Sequence, residues 1–442
     1  MNSDSIPAAS PAPELTLPKK ILYTIIVLIV LFACLWIVGE LVLRVVSLHF
    51  ISYRSSPFRQ YDPDLGVSLI PNRHVSHGRG CFHGVVYINR WGFRDRERSL
   101  EKSPGEYRIA MLGDSYVEAV HVKPDEVMNI RLEQLLAEKG FKNTAVPAFG
   151  IEGLGTAQEL VMYRERVRQF HPDLVVVMFA LNDVMNNSST LQPKVYGIHT
   201  WFAPYYDLGP DGKLVFRPVE SRSLNGLRNF LEHHSLLFYY LERAWLSFDI
   251  TLYKWQGIPI EWGVFGDPLD PEWQQAWRVT EKVLTLMRDT VEADGAKFEV
   301  LILPNFFEID PDWPQRFEKS EGKIPPAMKV STYEERLREI AARDHISMGF
   351  LAPYFQSYRD AHHLQWPYFS FTCNTHYSAM GHEVTAEAIL QTLEEQHLLP
   401  PQGEDTAGNP ITAELPIAES SQFSVFSSQH KAGACSGFFA EN

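Results

Sequence analysis

Apolar and polar positions divide the chain into stretches of different kinds. Residues 1–18, rich in Ser, Pro and Ala, have no periodicity and are expected to be disordered. Lys19-Lys20 then lead into an unbroken apolar run from Ile21 to Gly39. At about 1.5 Å per residue such a run spans a hydrocarbon core, which needs about twenty residues, so 19–46 reads as a transmembrane anchor. A cleaved signal peptide is the rival reading, but its apolar region is usually about 7–15 residues long, and no small-x-small cleavage site follows here. Glu40 and Arg44, spaced i,i+4 just past the run, are expected to pair at the interface.

Residues 50–105 show little periodicity and many Gly, Arg and aromatic residues; they read as a small β-rich flap. His74, His77, Cys81 and His83 lie close together there, in a spacing that fits no zinc pattern, and are read as loop residues.

From about 106 to 400, strand and helix patterns alternate. An apolar strand ends in Gly113-Asp114-Ser115, a helix covers Pro124 to Lys139, and a strand covers Thr144 to Phe149. A glycine-rich loop, Gly150 to Thr156, leads into a helix reaching Phe170. Asp173 to Ala180 is almost wholly apolar, as in a parallel sheet covered on both faces. Between about 186 and 271 the alternation breaks into an insertion rich in Trp, Tyr, Phe and Pro, with helical pieces such as Leu227 to Phe248. It then resumes with helices at 272–294 and 331–344, strands at 297–304 and 346–350, and a closing helix at 378–396. Residues 401–442 return to disorder-type composition. The fold class expected is α/β, with a parallel sheet.

Composition narrows the function. A formal charge of −14 with no basic cluster argues against nucleic acid as a partner. The four cysteines, with no Cys-x-x-Cys, fit neither a disulfide scaffold nor a zinc ribbon. Cys81 and Cys373 could pair if both lie in an oxidising compartment. The lysine pair before the span favours a cytoplasmic N-terminus, which places the body in the periplasm or its equivalent.

A serine hydroxyl needs a base to become a nucleophile, and the oxyanion that forms needs pre-aimed donors. Ser115 and His376 are the candidates for nucleophile and base. The N–H groups of Ser115 and Gly153 and the Asn182 amide are the candidates for the oxyanion hole. Each sits after a predicted strand or at a helix start, where an open parallel sheet gathers its reacting groups.

On Leu112-Gly113-Asp114-Ser115, Gly153, Asn182-Asp183 and His376, the chain resembles the SGNH hydrolases, or GDSL-type esterases and lipases, over roughly 106–400. Ile88 to Arg94 resembles the approach segment of membrane-anchored bacterial members. The resemblance implies a flavodoxin-like three-layer α/β/α sandwich and hydrolysis of carboxylic esters, often acetyl groups on carbohydrate, without metal or organic cofactor. It also has departures. Ala180 and Ala148 stand where family members often carry Gly and Asn, and the acidic triad positions are Asn374 and Cys373. Asn374, a backbone carbonyl, or Asp360 from the preceding loop is then the third triad member. The reading is an extracytoplasmic serine esterase held in the cytoplasmic membrane by a single span and acting on an acyl ester. The alternatives are an O-acyltransferase acting on an envelope or exported glycan, and a degenerate glycan-binding protein.

Overall fold

The N-terminal apolar run forms one helix, α1 (Leu17–Ser47). Its stretch Leu17–Val45 has a mean hydropathy of 3.0 and is long and apolar enough to cross a membrane. The computed structural model describes residues 16–47, 58–79, 81–196, 203–219, 231, 234–238, 240, 241, 244, 245, 254–371 and 375–401. The terminal segments expected to be disordered lie almost wholly outside these residues, as do Cys373 and Asn374. The described residues fall into two compact units. One is drawn from Met1–Ser55 and Arg222–Ala244, the other from Ser56–Ser221 and Trp245–Asn442. In the first, Arg44 Nε donates to Glu40 at 2.9 Å, the i,i+4 pair that the spacing predicts.

In the second unit the lead-in forms two antiparallel hairpins, β1 (Arg59–Asp62) with β2 (Gly66–Leu69) and β3 (Arg73–Arg79) with β4 (Phe82–Ile88). The histidines expected in loops therefore lie on paired strands, with His74 opposite Tyr87 and His77 opposite Gly84.

The body follows as β5 (Tyr107–Gly113), α2 (Ser115–Glu118), α3 (Met128–Glu138), β6 (Thr144–Ala145), β7 (Ala148–Gly150), α4 (Thr156–Met162) and β8 (Leu174–Phe179). The strand expected over 144–149 is split at Pro147, which has no N–H to give a ladder; its carbonyl accepts from Met111 N–H at 2.9 Å instead. The helix expected to reach Phe170 is α-helical only to Met162, then widens into a π turn over Tyr163–Val167.

After β8 come α5 (Asp183–Asn186), α6 (Leu191–Tyr196), the hairpin β9 (Tyr205–Leu208) with β10 (Leu214–Arg217), and the short pair β11 (Lys254–Trp255) with β12 (Ile258–Pro259). The long helix α7 (Pro271–Ala293) restarts the alternation, with Asp270 capping it by accepting from Glu272 N–H at 2.7 Å. Then follow β13 (Lys297–Ile302), α8 (Phe306–Ile309), α9 (Trp313–Ser320), α10 (Ser331–Asp344), β14 (Met348–Phe350), α11 (Ala352–Ala361) and α12 (Ala379–Glu395).

The main sheet runs β14-β13-β8-β5-β7, with β6 extending that last edge. All of its pairings are parallel. In order of appearance this is 2-1-3-4-5, the flavodoxin-like order, whose direction reverses between β5 and β8. Both faces are covered, as the all-apolar strands require. Ala110, Leu112, Val175, Val177 and Val300 face one core, which includes residues of α4 and α7. Ile109, Met111, Val176, Met178 and Leu301 face the other, which includes residues of α3 and α12. The crevice beyond the carboxyl ends of β5 and β8 is where such sheets bind ligands.

Candidate active site

Ser115 opens α2 directly beyond β5, with Asp114 as the cap: its Oδ1 accepts from Tyr116 N–H at 2.9 Å. The turn is held tightly by Gly150 at the end of β7. A Cβ on Gly150 would lie 2.2 Å from Glu118 N, so only glycine lets the strand end approach α2 this closely. Ser115 is buried, with 9% of its surface exposed.

His376 arrives from the chain's far end. Its Nε2 lies 2.8 Å from Ser115 Oγ, the separation of a nucleophile and its base. Two rings pack on the imidazole. Tyr116 packs on it at 5.2 Å between centroids and also donates its hydroxyl to Thr375 O at 3.2 Å. His121 stacks on the ring at 4.0 Å and 18°. Phe82 of β4 then meets His121 edge-on at 4.6 Å, so the flap closes the aromatic stack.

Burial pushes His376 down to about 4, opposed by the nearby charge of Glu152. Burial, with His376 as neighbour, likewise lowers His121, and burial lowers His382 to about 3. At neutral pH the ring is therefore neutral, the form in which it can accept a proton. Activity is expected to fall only as pH drops through about 4, not at the ordinary histidine value of about 6.5. Removing the Glu152 charge lowers the histidine further, so Glu152→Gln should shift this acid limb down and weaken the base above it. A pH profile of kcat/KM for the two proteins checks both expectations.

On the oxyanion side, Gly153 adopts φ +80°, a left-handed conformation that favours glycine. Its carbonyl accepts from Gln192 Nε2 at 2.6 Å, and Gln192 Oε1 accepts from Tyr205 OH at 2.6 Å. The insertion thus orients the Gly153 loop. Asn182, at the end of β8, donates Nδ2 to Asp114 Oδ2 at 2.8 Å, leaving its second N–H for another acceptor. Among the described residues, no backbone carbonyl accepts from the N–H of Ser115 or Gly153.

Below these groups lies a buried acidic floor. Asp114 is raised to about 6, chiefly by burial. Asp183 is held well above the usual carboxylate range by burial and by the charge of Asp114, and Glu159 by burial and by the charges of Asp183 and Asp114. Asp183 accepts from Ala180 N–H at 2.6 Å and from Thr156 Oγ1 at 3.2 Å, which fastens the end of β8 to the start of α4.

The structure does not bring Asp360 to His376. That carboxylate is 68% exposed on α11 and pairs with Arg359 at 2.7 Å, facing solvent, whereas His376 sits in the buried stack. The carboxylate whose charge acts on His376 is Glu152, one residue before Gly153. Glu152 and Glu118 are bridged by Arg59 of β1, 2.6 Å from each, and Glu152 N–H donates to Glu118 at 2.5 Å. One flap arginine thereby joins the helix bearing Ser115 to the loop bearing Gly153. Arg59→Ala leaves the buried Glu118 carboxylate beside the partly buried Glu152 and is expected to cost about 3 kcal/mol, read as a lower midpoint in urea denaturation. His74 and His77 pack against the rings of Tyr87 and Phe58. Among the described residues, no group of three or more His, Cys, Asp or Glu is placed to hold a metal ion. Cys81 is disulfide-bonded; its expected partner lies outside the described residues.

Residues 109–219 match the family described as GDSL-like lipase/acylhydrolase. No curated protein matches. Among solved structures, the chain is similar to a lipase/acylhydrolase from Enterococcus faecalis at 12% identity, covering 66% of this chain and 96% of that one, TM-score 0.34. A catalytic mutant of an acetylxylan esterase from Geobacillus stearothermophilus is similar at 15% identity, with 66% and 95% covered and TM-score 0.33. A hydrolase from the metagenome of Lake Arreo, Spain, is similar at 15% identity, with 67% and 97% covered and TM-score 0.35.

Proposed function

We propose, from the premise that residues 109–219 are of the GDSL-like lipase and acylhydrolase family, that this chain is a serine esterase working through an acyl-Ser115 intermediate. The observation that carries the reading is the 2.8 Å approach of His376 Nε2 to Ser115 Oγ. Ser115 Oγ attacks the ester carbonyl while its proton passes to Nε2. The oxyanion is met by the N–H groups of Ser115 and Gly153 and by the Asn182 amide. Collapse breaks the bond to the alcohol, which leaves with the proton from His376. Water then adds to the acyl-serine, giving its proton to His376, and the carboxylic acid departs as Ser115 regains a proton.

His121 stacks on His376, and Phe82 and Phe371 pack in turn around His121; this aromatic neighbourhood supports a short acyl group such as acetyl. The same aromatic neighbourhood, which could pack a sugar ring, favours a second reading, transfer of the acyl group to a sugar hydroxyl. Partition decides between them. With an acetyl ester and an oligosaccharide acceptor, free acetate alone supports hydrolysis, and acetylated oligosaccharide supports transfer. Helix α1 would anchor the enzyme in the cytoplasmic membrane, with the body outside. The disulfide at Cys81 supports an oxidising, extracytoplasmic location.

A further inference from the structure

Helix α1 is not bare at the end of its apolar run. Glu40 accepts from the N–H groups of Leu236 and Leu237, each at 3.0 Å, and from Ser235 Oγ at 2.9 Å. Arg44 donates to His234 O at 2.8 Å. A carboxylate on three donors at the start of a helical segment is a capping arrangement supplied from another part of the chain. Contact is close: a Cβ on Gly39 would lie 3.1 Å from Leu237 Cδ2. The described residues of 236–245 are helical, and Tyr240 and Leu241 are 45% and 53% exposed.

These contacts set a depth. The apolar run Ile21–Gly39 covers about 28 Å at the α-helical rise, close to the thickness of a hydrocarbon core. Glu40 and Arg44 then stand at the boundary between hydrocarbon and headgroups, and the segment tied to them lies at that level. It cannot be a second span, because Glu232, Glu242, Arg243 and Asp249 interrupt it. Its remaining residues, Leu236, Leu237, Phe238, Tyr239, Tyr240, Leu241 and Trp245, are the apolar and aromatic types that favour the interface.

We infer that the described residues of 235–244 form an interfacial foot, clasped by Glu40 and Arg44 and laying Tyr240 and Leu241 against the lipid of the same bilayer that α1 crosses. This rests on the reading of α1 as a membrane anchor. The foot gives this segment its own contact with the membrane beside α1.

The test places a photoreactive benzoylphenylalanine at Leu241, or at Ile29 in the apolar run, in the full chain reconstituted in phosphatidylcholine–phosphatidylglycerol vesicles. Lipid adducts are read by mass spectrometry. Adducts at both positions, with the Leu241 adduct falling several-fold on Glu40→Ala, are the expected result. An adduct at position 29 with none at 241 overturns the foot and leaves the anchor standing. No adduct at 29 overturns the anchor and the foot with it. An adduct at 241 that Glu40→Ala and Arg44→Ala leave unchanged overturns the clasp.

Discussion

Ser115→Ala is expected to lower turnover of a chromogenic acetyl ester by about 10⁴-fold or more, with KM little changed. Ser115 Oγ, the hydroxyl lying 2.8 Å from the His376 imidazole, is the proposed attachment point of the acyl intermediate. His376→Ala is expected to cause a loss of similar size, since an unassisted serine hydroxyl is a poor nucleophile. The two groups act on one proton, so the double variant should be scarcely slower than either single one. Multiplying losses would contradict the assignment. Steady-state kinetics on the three variants, with circular dichroism to confirm folding, gives the answer.

Asn182→Ala is expected to cost about 10²–10³-fold in kcat, the usual effect of removing one oxyanion donor. It also removes the Nδ2 hydrogen bond to Asp114, the residue that caps the helix starting at Ser115. Asp114 keeps its bond from Tyr116 N–H, so the nucleophile turn should survive and KM should move little. The interaction belongs to the transition state rather than to the bound ester, and the loss should therefore fall on kcat. A kcat within threefold of wild type would remove Asn182 from the oxyanion hole.

The same burial that sets the histidines makes the fold sensitive to acid. His376 and His382 are held at about 4 and about 3, below the ordinary value, because the folded state disfavours their charged forms. The unfolded chain therefore binds more protons in this range. Stability from these groups is complete above about 6.5 and is lost as pH falls through the folded values.

Much of the body was legible because its signals are local. An apolar strand running into Gly113-Asp114-Ser115, the apolar run before Asn182, and the closing helix after His376 each declare themselves within a few residues. The rest depends on contacts across long separations. Arg59 reaches Glu118 and Glu152 from a hairpin that precedes the sheet, and nothing in its neighbours marks it. His121 belongs to no motif, yet it stacks on His376. Gln192 and Tyr205 lie where periodicity fails, and only the fold brings them to the carbonyl of Gly153. Glu152 carries a local signal: a carboxylate directly before the candidate oxyanion glycine is well placed to act on the base. The Asp360 expectation rested on nearness in sequence to His376, which the orientation of α11 does not turn into nearness in space.

The central claim is an activated serine at position 115, and a fluorophosphonate probe tests it most directly. The account predicts that the full chain in detergent is labelled once, on the peptide carrying Ser115. Labelling should vanish in Ser115→Ala and fall sharply in His376→Ala. Label on another residue, or undiminished labelling in Ser115→Ala, would contradict the account.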